Sequence, residues 1–192
     1  MVKIGVLALQ GSVIEHISML NSIDGVEAVE VRCIEDIDTL SGIILPGGES
    51  TTISKLLTDF EIIEPLRQKI KQGMPVWGTC AGMILLAKNI INEENSHLGL
   101  MDITVKRNAY GSQLDSFKTL VNIPDVSNNE IPLVFIRAPW VEGVEDSVKI
   151  LASIDDRIIA VEQDNMLATS FHPELTDDLC FHKYFANKVM NK

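Results

Sequence analysis

The chain has 192 residues, 46% of them hydrophobic and 22% charged, the size and balance of one folded domain rather than a disordered segment. A formal charge of −11 argues against a nucleic-acid backbone as partner, because that affinity is carried by clustered Lys and Arg. Nowhere does an apolar run approach the roughly 20 residues of a membrane helix, and three cysteines cannot all pair, so a cytoplasmic chain with no membrane contact is expected.

Residues 3–9 form a short apolar run that reads as a buried first strand rather than a signal peptide, and it leads directly into Gln10-Gly11. Residues 12–21 follow with a helical pattern. A second continuous apolar strand is expected at 42–45, a helix at 51–57, and further strands at 75–78 and 133–136. Between 92 and 132 the pattern breaks into shorter segments rich in turn residues, including Asn108-Ala109-Tyr110-Gly111 and 124–129; antiparallel hairpins beside the main sheet are expected there. In 177–192, Leu179, Phe181, Phe185, Val189 and Met190 recur at helical spacing and predict a terminal helix. No repeat or Gly/Ser linker divides the chain. The expectation is one α/β domain over 1–192, with a mostly parallel sheet flanked by helices and a smaller antiparallel element. In such sheets ligands gather at the carboxyl ends of the strands.

Three motifs fall at such ends. Gly78-Thr79-Cys80-Ala81-Gly82 follows the strand at 75–77 and precedes the helix-compatible run 83–88, which is the glycine-x-nucleophile-x-glycine elbow with Cys as the nucleophile. The glycines permit a strained strand-to-helix turn, and the helix N-terminus favours a thiolate. A cysteine nucleophile needs a base held by a third group. Ser170-Phe171-His172-Pro173-Glu174 supplies His172 as that base, with Glu174 two residues on, facing the same side of an extended backbone that Pro173 keeps out of helix. Leu45-Pro46-Gly47-Gly48-Glu49-Ser50-Thr51-Thr52 is either a capped turn or a loop whose amides meet an anion. Gly48 and Ala81 are the expected N–H donors to a tetrahedral oxyanion.

Other readings of these residues are weaker. A phosphate loop would need the Lys-Ser/Thr pair of a Walker motif, and Lys55 comes too late. His172 and Glu174 could ligate a metal, yet no second ligand cluster accompanies them, so no metal and no cofactor are expected. His16, His97 and His182 read as structural, and Cys33 and Cys180 as small buried hydrophobes.

Taken together the motifs resemble the class I, triad-type glutamine amidotransferases, whose flavodoxin-like architecture matches the expected α/β order. Gly5-Val6-Leu7-Ala8-Leu9-Gln10-Gly11, the Gly47-Gly48-Glu49-Ser50-Thr51-Thr52 segment, His97-Leu98-Gly99-Leu100 and Phe135-Ile136-Arg137-Ala138-Pro139 resemble one branch in particular, the glutaminase subunits of pyridoxal 5′-phosphate synthase. The resemblance covers nearly the whole chain. It implies hydrolysis of L-glutamine by Cys80, His172 and Glu174 through a glutamyl thioester. It also implies substrate contacts from Gly48, Glu49, Ser50, Arg107, Ile136 and Arg137, with open which arginine meets the glutamine carboxylate. The implied partner is a (β/α)8-barrel synthase that receives the ammonia, docks near the Gln10 and Gly47-Gly48 loops and completes the oxyanion hole; pyridoxal phosphate is then a product. Three rivals stand beside this reading: a glutaminase serving another synthase, a cysteine peptidase or stress hydrolase, and a binding subunit without turnover.

Overall fold

Strand β1 (Val2–Leu7) buries its last four residues, as a strand covered on both faces must. In chain order there follow α1 (Val13–Asn21), β2 (Val26–Val31), α2 (Ile34–Ile37), β3 (Gly42–Leu45), α3 (Ser50–Asp59), α4 (Ile63–Lys71), β4 (Val76–Thr79), α5 (Ala81–Leu86), β5 (Ala87–Ile90) and β6 (Met101–Lys106). The second half contributes β7 (Ser116–Val121), β8 (Ile131–Ile136), β9 (Trp140–Val144), β10 (Lys149–Ile154), β11 (Arg157–Gln163), β12 (Met166–Thr169), a 3-10 turn (Pro173–Leu175) and α6 (Cys180–Met190). These come from a computed structural model that describes residues 1–107 and 116–192; the Asn108-Ala109-Tyr110-Gly111 turn expected from sequence lies outside them.

The main sheet runs β2-β1-β3-β4-β12-β11-β9-β6-β5, with β10 paired to β11. From β2 to β12 every pairing is parallel, and the registers set Leu45 beside Gly78 and Thr79 beside Thr169. The carboxyl ends of β3, β4 and β12 are therefore level, and each opens into one of the three motifs. Chain direction across the sheet reverses between β1 and β3, the kind of switch point where α/β sheets form ligand crevices. Helices cover both faces. Ile53, Leu57, Leu66, Ile70 and Met83 of α3, α4 and α5 pack one side, and Leu20, Phe181, Phe185 and Val189 of α1 and α6 the other. This is the single α/β domain expected, and among the described residues no helix is long and apolar enough to cross a membrane.

Four expectations change. The run at 133–136 is not in the main sheet: it belongs to β8, which pairs antiparallel with β7 in a separate two-stranded sheet whose Phe117 and Phe135 rings stack at 4.5 Å. Between 92 and 132 the expected hairpins are only half present, since β6 joins the main sheet. Cys33 is exposed rather than buried, because its N–H and thiol both donate to Asp36 (3.1 and 3.3 Å) to cap α2. Cys180 is half-buried where α6 begins, its N–H on Asp178 Oδ1 at 2.7 Å.

Candidate active site

Cys80 sits between β4 and α5 with φ 48° and ψ −100°, a conformation costly for any residue but glycine. The strain is thus carried by the cysteine expected to be the nucleophile. Its glycine neighbours serve packing: a Cβ on Gly78 would lie 2.4 Å from the Gly82 backbone, and one on Gly82 only 2.0 Å from the Leu45 carbonyl oxygen. The elbow is pinned to the sheet by the Cys80 N–H, which donates to Thr169 O at 2.8 Å. As the first residue of α5, Ala81 has an N–H with no carbonyl four residues back in the helix, so it remains available as a donor.

His172 Nδ1 lies 2.8 Å from Glu174 Oε1, and both side chains are nearly buried. The sequence placed Glu174 by strand alternation, and that route is wrong. Pro173 opens a 3-10 turn, where a missing N–H costs nothing, and the turn swings Glu174 back under the ring. Burial by itself lowers the His172 pKa. Hydrogen bonding and charge from Cys80 and Glu174 overcome it and raise the group from 6.5 to about 10. Burial likewise pushes Glu174 up, but neighbouring His16 and the His172 hydrogen bond bring it below its usual value. Carboxylate, imidazolium and cysteine therefore form one coupled series.

All the predicted site residues except Glu174, which lies behind the ring, line a single cavity of about 830 Å³. Ser12, Glu15, Ile84, Pro139 and Leu175 also line it, and the sequence reading did not single them out. Gly47 is fixed by close approach, since a Cβ there would stand 2.3 Å from His172 Cε1. The Gly47 carbonyl accepts from Ser12 N–H at 3.0 Å, so across a trans peptide the Gly48 N–H points away from Ser12. Gln10 Oε1 accepts the Glu49 N–H at 2.8 Å, tying the Gly47-Gly48 turn to the loop after β1. Arg107 bridges Glu49 (3.0 Å) and Glu93 (2.6 Å) at the cavity wall. Ser50 Oγ is buried and without a hydrogen-bond partner. Arg137 is exposed at φ 43°, a second strained residue at the mouth.

His16 and His182, read from sequence as structural, converge behind Glu174: His16 Nε2 is 3.4 Å from Glu174 Oε2, and His16 Nδ1 is 2.9 Å from His182 Nε2. Their positions 166 residues apart hid the pairing. The available signal was a polar ring on what must be the buried face of each helix.

The profile of the SNO glutamine amidotransferase family matches residues 6–191, and the chain belongs to that family. The pyridoxal 5′-phosphate synthase subunit PdxT of Ruminiclostridium cellulolyticum is 57% identical over 189 residues, spanning 98% of this chain and all of that one. Its counterpart in Clostridium botulinum is 55% identical over 193 residues, with both chains fully covered. A solved glutamine amidotransferase superposes with a TM-score of 0.91 at 41% identity, over 97% of this chain and 98% of that one. PurLQS from Thermotoga maritima shares the fold alone, at a TM-score of 0.69 and 19% identity, with 100% of this chain and 99% of that one covered.

Proposed function

We propose that this chain hydrolyses L-glutamine to L-glutamate and ammonia with Cys80 as nucleophile, His172 as acid-base and Glu174 as its orienting carboxylate, and that the ammonia feeds a pyridoxal 5′-phosphate synthase. One observation carries the reading: an imidazole held by a buried carboxylate and coupled to a cysteine on a strained elbow, at the wall of a cavity of about 830 Å³.

The steps follow from the geometry. Nδ1 is committed to Glu174, which leaves Nε2 for the cysteine and the substrate. The Cys80 thiolate adds to the side-chain amide carbon, and the carbonyl electrons move onto oxygen, where the N–H groups of Gly48 and Ala81 stabilise the charge. The His172 imidazolium then protonates the amide nitrogen; the C–N bond breaks, releasing ammonia and leaving a glutamyl thioester. Water gives a proton to the now neutral His172 and its oxygen to the thioester carbon. Collapse expels the Cys80 thiolate, the new carboxylic acid loses its proton to the solvent and leaves as glutamate, and the ion pair is restored.

Glutamine is recognised as an α-amino acid. Arg107 and Arg137 are the cations for its carboxylate, while Glu49 and the Ser50 hydroxyl suit its ammonium. The Ile136 strand end supplies the opposite wall. The relatives' shared name supports a synthase subunit as the partner, with the (β/α)8 barrel implied by the branch, and the exposed Gln10 loop hydrogen-bonded to the Gly47-Gly48 turn is where docking would reset the Gly48 N–H. The chain needs no cofactor for this chemistry. Glutamate release is measured for the chain alone and with the cognate synthase. Release that rises with the synthase and disappears in Cys80→Ala and His172→Asn is expected; release indifferent to Cys80 would overturn the triad.

A further inference from the structure

Glu174 is buried with two oxygens to satisfy, and His172 serves only Oε1. Oε2 makes no fully formed hydrogen bond, and the donor within reach is His16 Nε2 at 3.4 Å. Behind it, His16 Nδ1 meets His182 Nε2 at 2.9 Å, while His182 Nδ1 is buried without a partner. That orphan fixes the tautomers. A buried lone pair is tolerated far better than a buried N–H left unpaired, so Nδ1 of His182 is bare and its Nε2–H donates to His16 Nδ1. A neutral His16 then carries its proton on Nε2, which hydrogen-bonds Thr79 Oγ1 at 3.3 Å and lies 3.4 Å from Glu174 Oε2. Both rings are fully buried and held edge-on by Trp77, at 5.7 and 5.0 Å.

We infer that His182 and His16 form a proton-directed series ending on the rear oxygen of Glu174, and that they are positioning residues which hold this carboxylate against His172. The inference rests on the proposed glutaminase chemistry. His16 and His182 are neutral because burial lowers both, His182 to about 3. The series has a second consequence: α1, which carries His16, begins directly after the Gln10-Gly11 loop, so the docking loop and the triad carboxylate share one short helix. The titratable groups facing the series are Glu174 within the 3-10 turn, His172 just before it and Glu15 on α1 itself.

The test reads the Cys80–His172 pair without glutamine. Iodoacetamide alkylation of Cys80, resolved from Cys33 and Cys180 by peptide mass spectrometry, is followed from about pH 5 to 10 in the full chain, spanning the reference His and Cys range. His16→Leu removes the donor; His16→Gln retains an amide N–H near the Nε2 position. His16→Leu is expected to alkylate about tenfold more slowly at neutral pH, with its profile displaced to higher pH, and His16→Gln to recover most of the rate. Equal slowing in both variants would mean packing alone, and wild-type profiles in both would mean no role; either result overturns the inference. If His16→Leu does not fold, His182→Leu against His182→Gln gives the same contrast with a smaller difference. A wild-type chain that releases no glutamate even with its cognate synthase would overturn the glutaminase reading while leaving the alkylation contrast to stand or fall by itself.

Discussion

The parallel half of the sheet, β2 to β12, and the mainly antiparallel half, β11 to β5, in which β6 and β5 alone pair parallel, are built from similar apolar residues yet treat polar groups in opposite ways. In the parallel half the polar groups are buried and strained: Cys80 at positive φ, Glu174 within the core, and two imidazoles sealed under Trp77. Across the mainly antiparallel half and its flank they are paired near the surface, as in Lys88–Asp102, Lys188–Glu162 and the contacts of Lys106 and Arg157 with the Trp140 ring. The first half gives up stability to organise chemistry, and the second keeps the sheet together.

The sharpest contrast is at the elbow. Cys80→Ala and Cys80→Gly should both lower glutamate release by at least roughly a thousandfold, yet the glycine variant should be the more stable of the two by about 1 kcal/mol, because it relieves the positive φ. Urea unfolding of the pair reads this directly, and equal midpoints would remove the claim of strain. Next is Phe135 of the two-stranded sheet, stacked on Phe117 and edge-on to Phe171 beside His172. Phe135→Ala is expected to cost about 3–5 kcal/mol and to lower turnover in whatever protein remains folded; full turnover would detach that sheet from the site.

A third expectation concerns pH. The folded His172 is raised to about 10, so its contribution to stability is complete below its unfolded value of 6.5 and lost as pH rises toward 10. His182, lowered to about 3, contributes in the opposite sense: its stabilisation is present above pH 6.5 and lost as pH falls toward 3. Stability profiles of His172→Asn and His182→Gln should each flatten one limb, alkaline and acid respectively. A variant that keeps both limbs would show that the charge sits elsewhere. Smallest is Trp140→Phe, outside the site, expected to cost less than about 1 kcal/mol with turnover unchanged.

The legible parts of the fold were those where local pattern and tertiary role coincide. The runs at 42–45 and 75–78 are buried on both faces, so composition alone marked them, and the motifs at their ends were readable for the same reason. The strands from β9 to β12 were not resolved from sequence. Glu162 and Gln163 of β11 face partners reached only through the fold, Tyr184 and Lys188 on α6 and Asp102 on β6. Residues 133–136 looked like any buried strand because burial came from a second small sheet, which apolarity cannot distinguish from the first. At the site, Cys80, His172 and Glu174 could be singled out as a proposed triad because elbow and His-x-Glu spacing are local. The turn that actually joins His172 to Glu174 was missed because Pro173 was read as barring helix when it instead starts a 3-10 turn.

Trp77 gives the buried histidines an optical signature. It is one of two tryptophans, and the imidazoles of His16 and His182 rest against its ring. Neutral imidazole leaves indole emission largely intact, whereas imidazolium quenches it. In a Trp140→Phe background Trp77 becomes the sole emitter, so its intensity would report the protonation of the two rings behind Glu174, in the resting chain and as a partner docks, with no added dye.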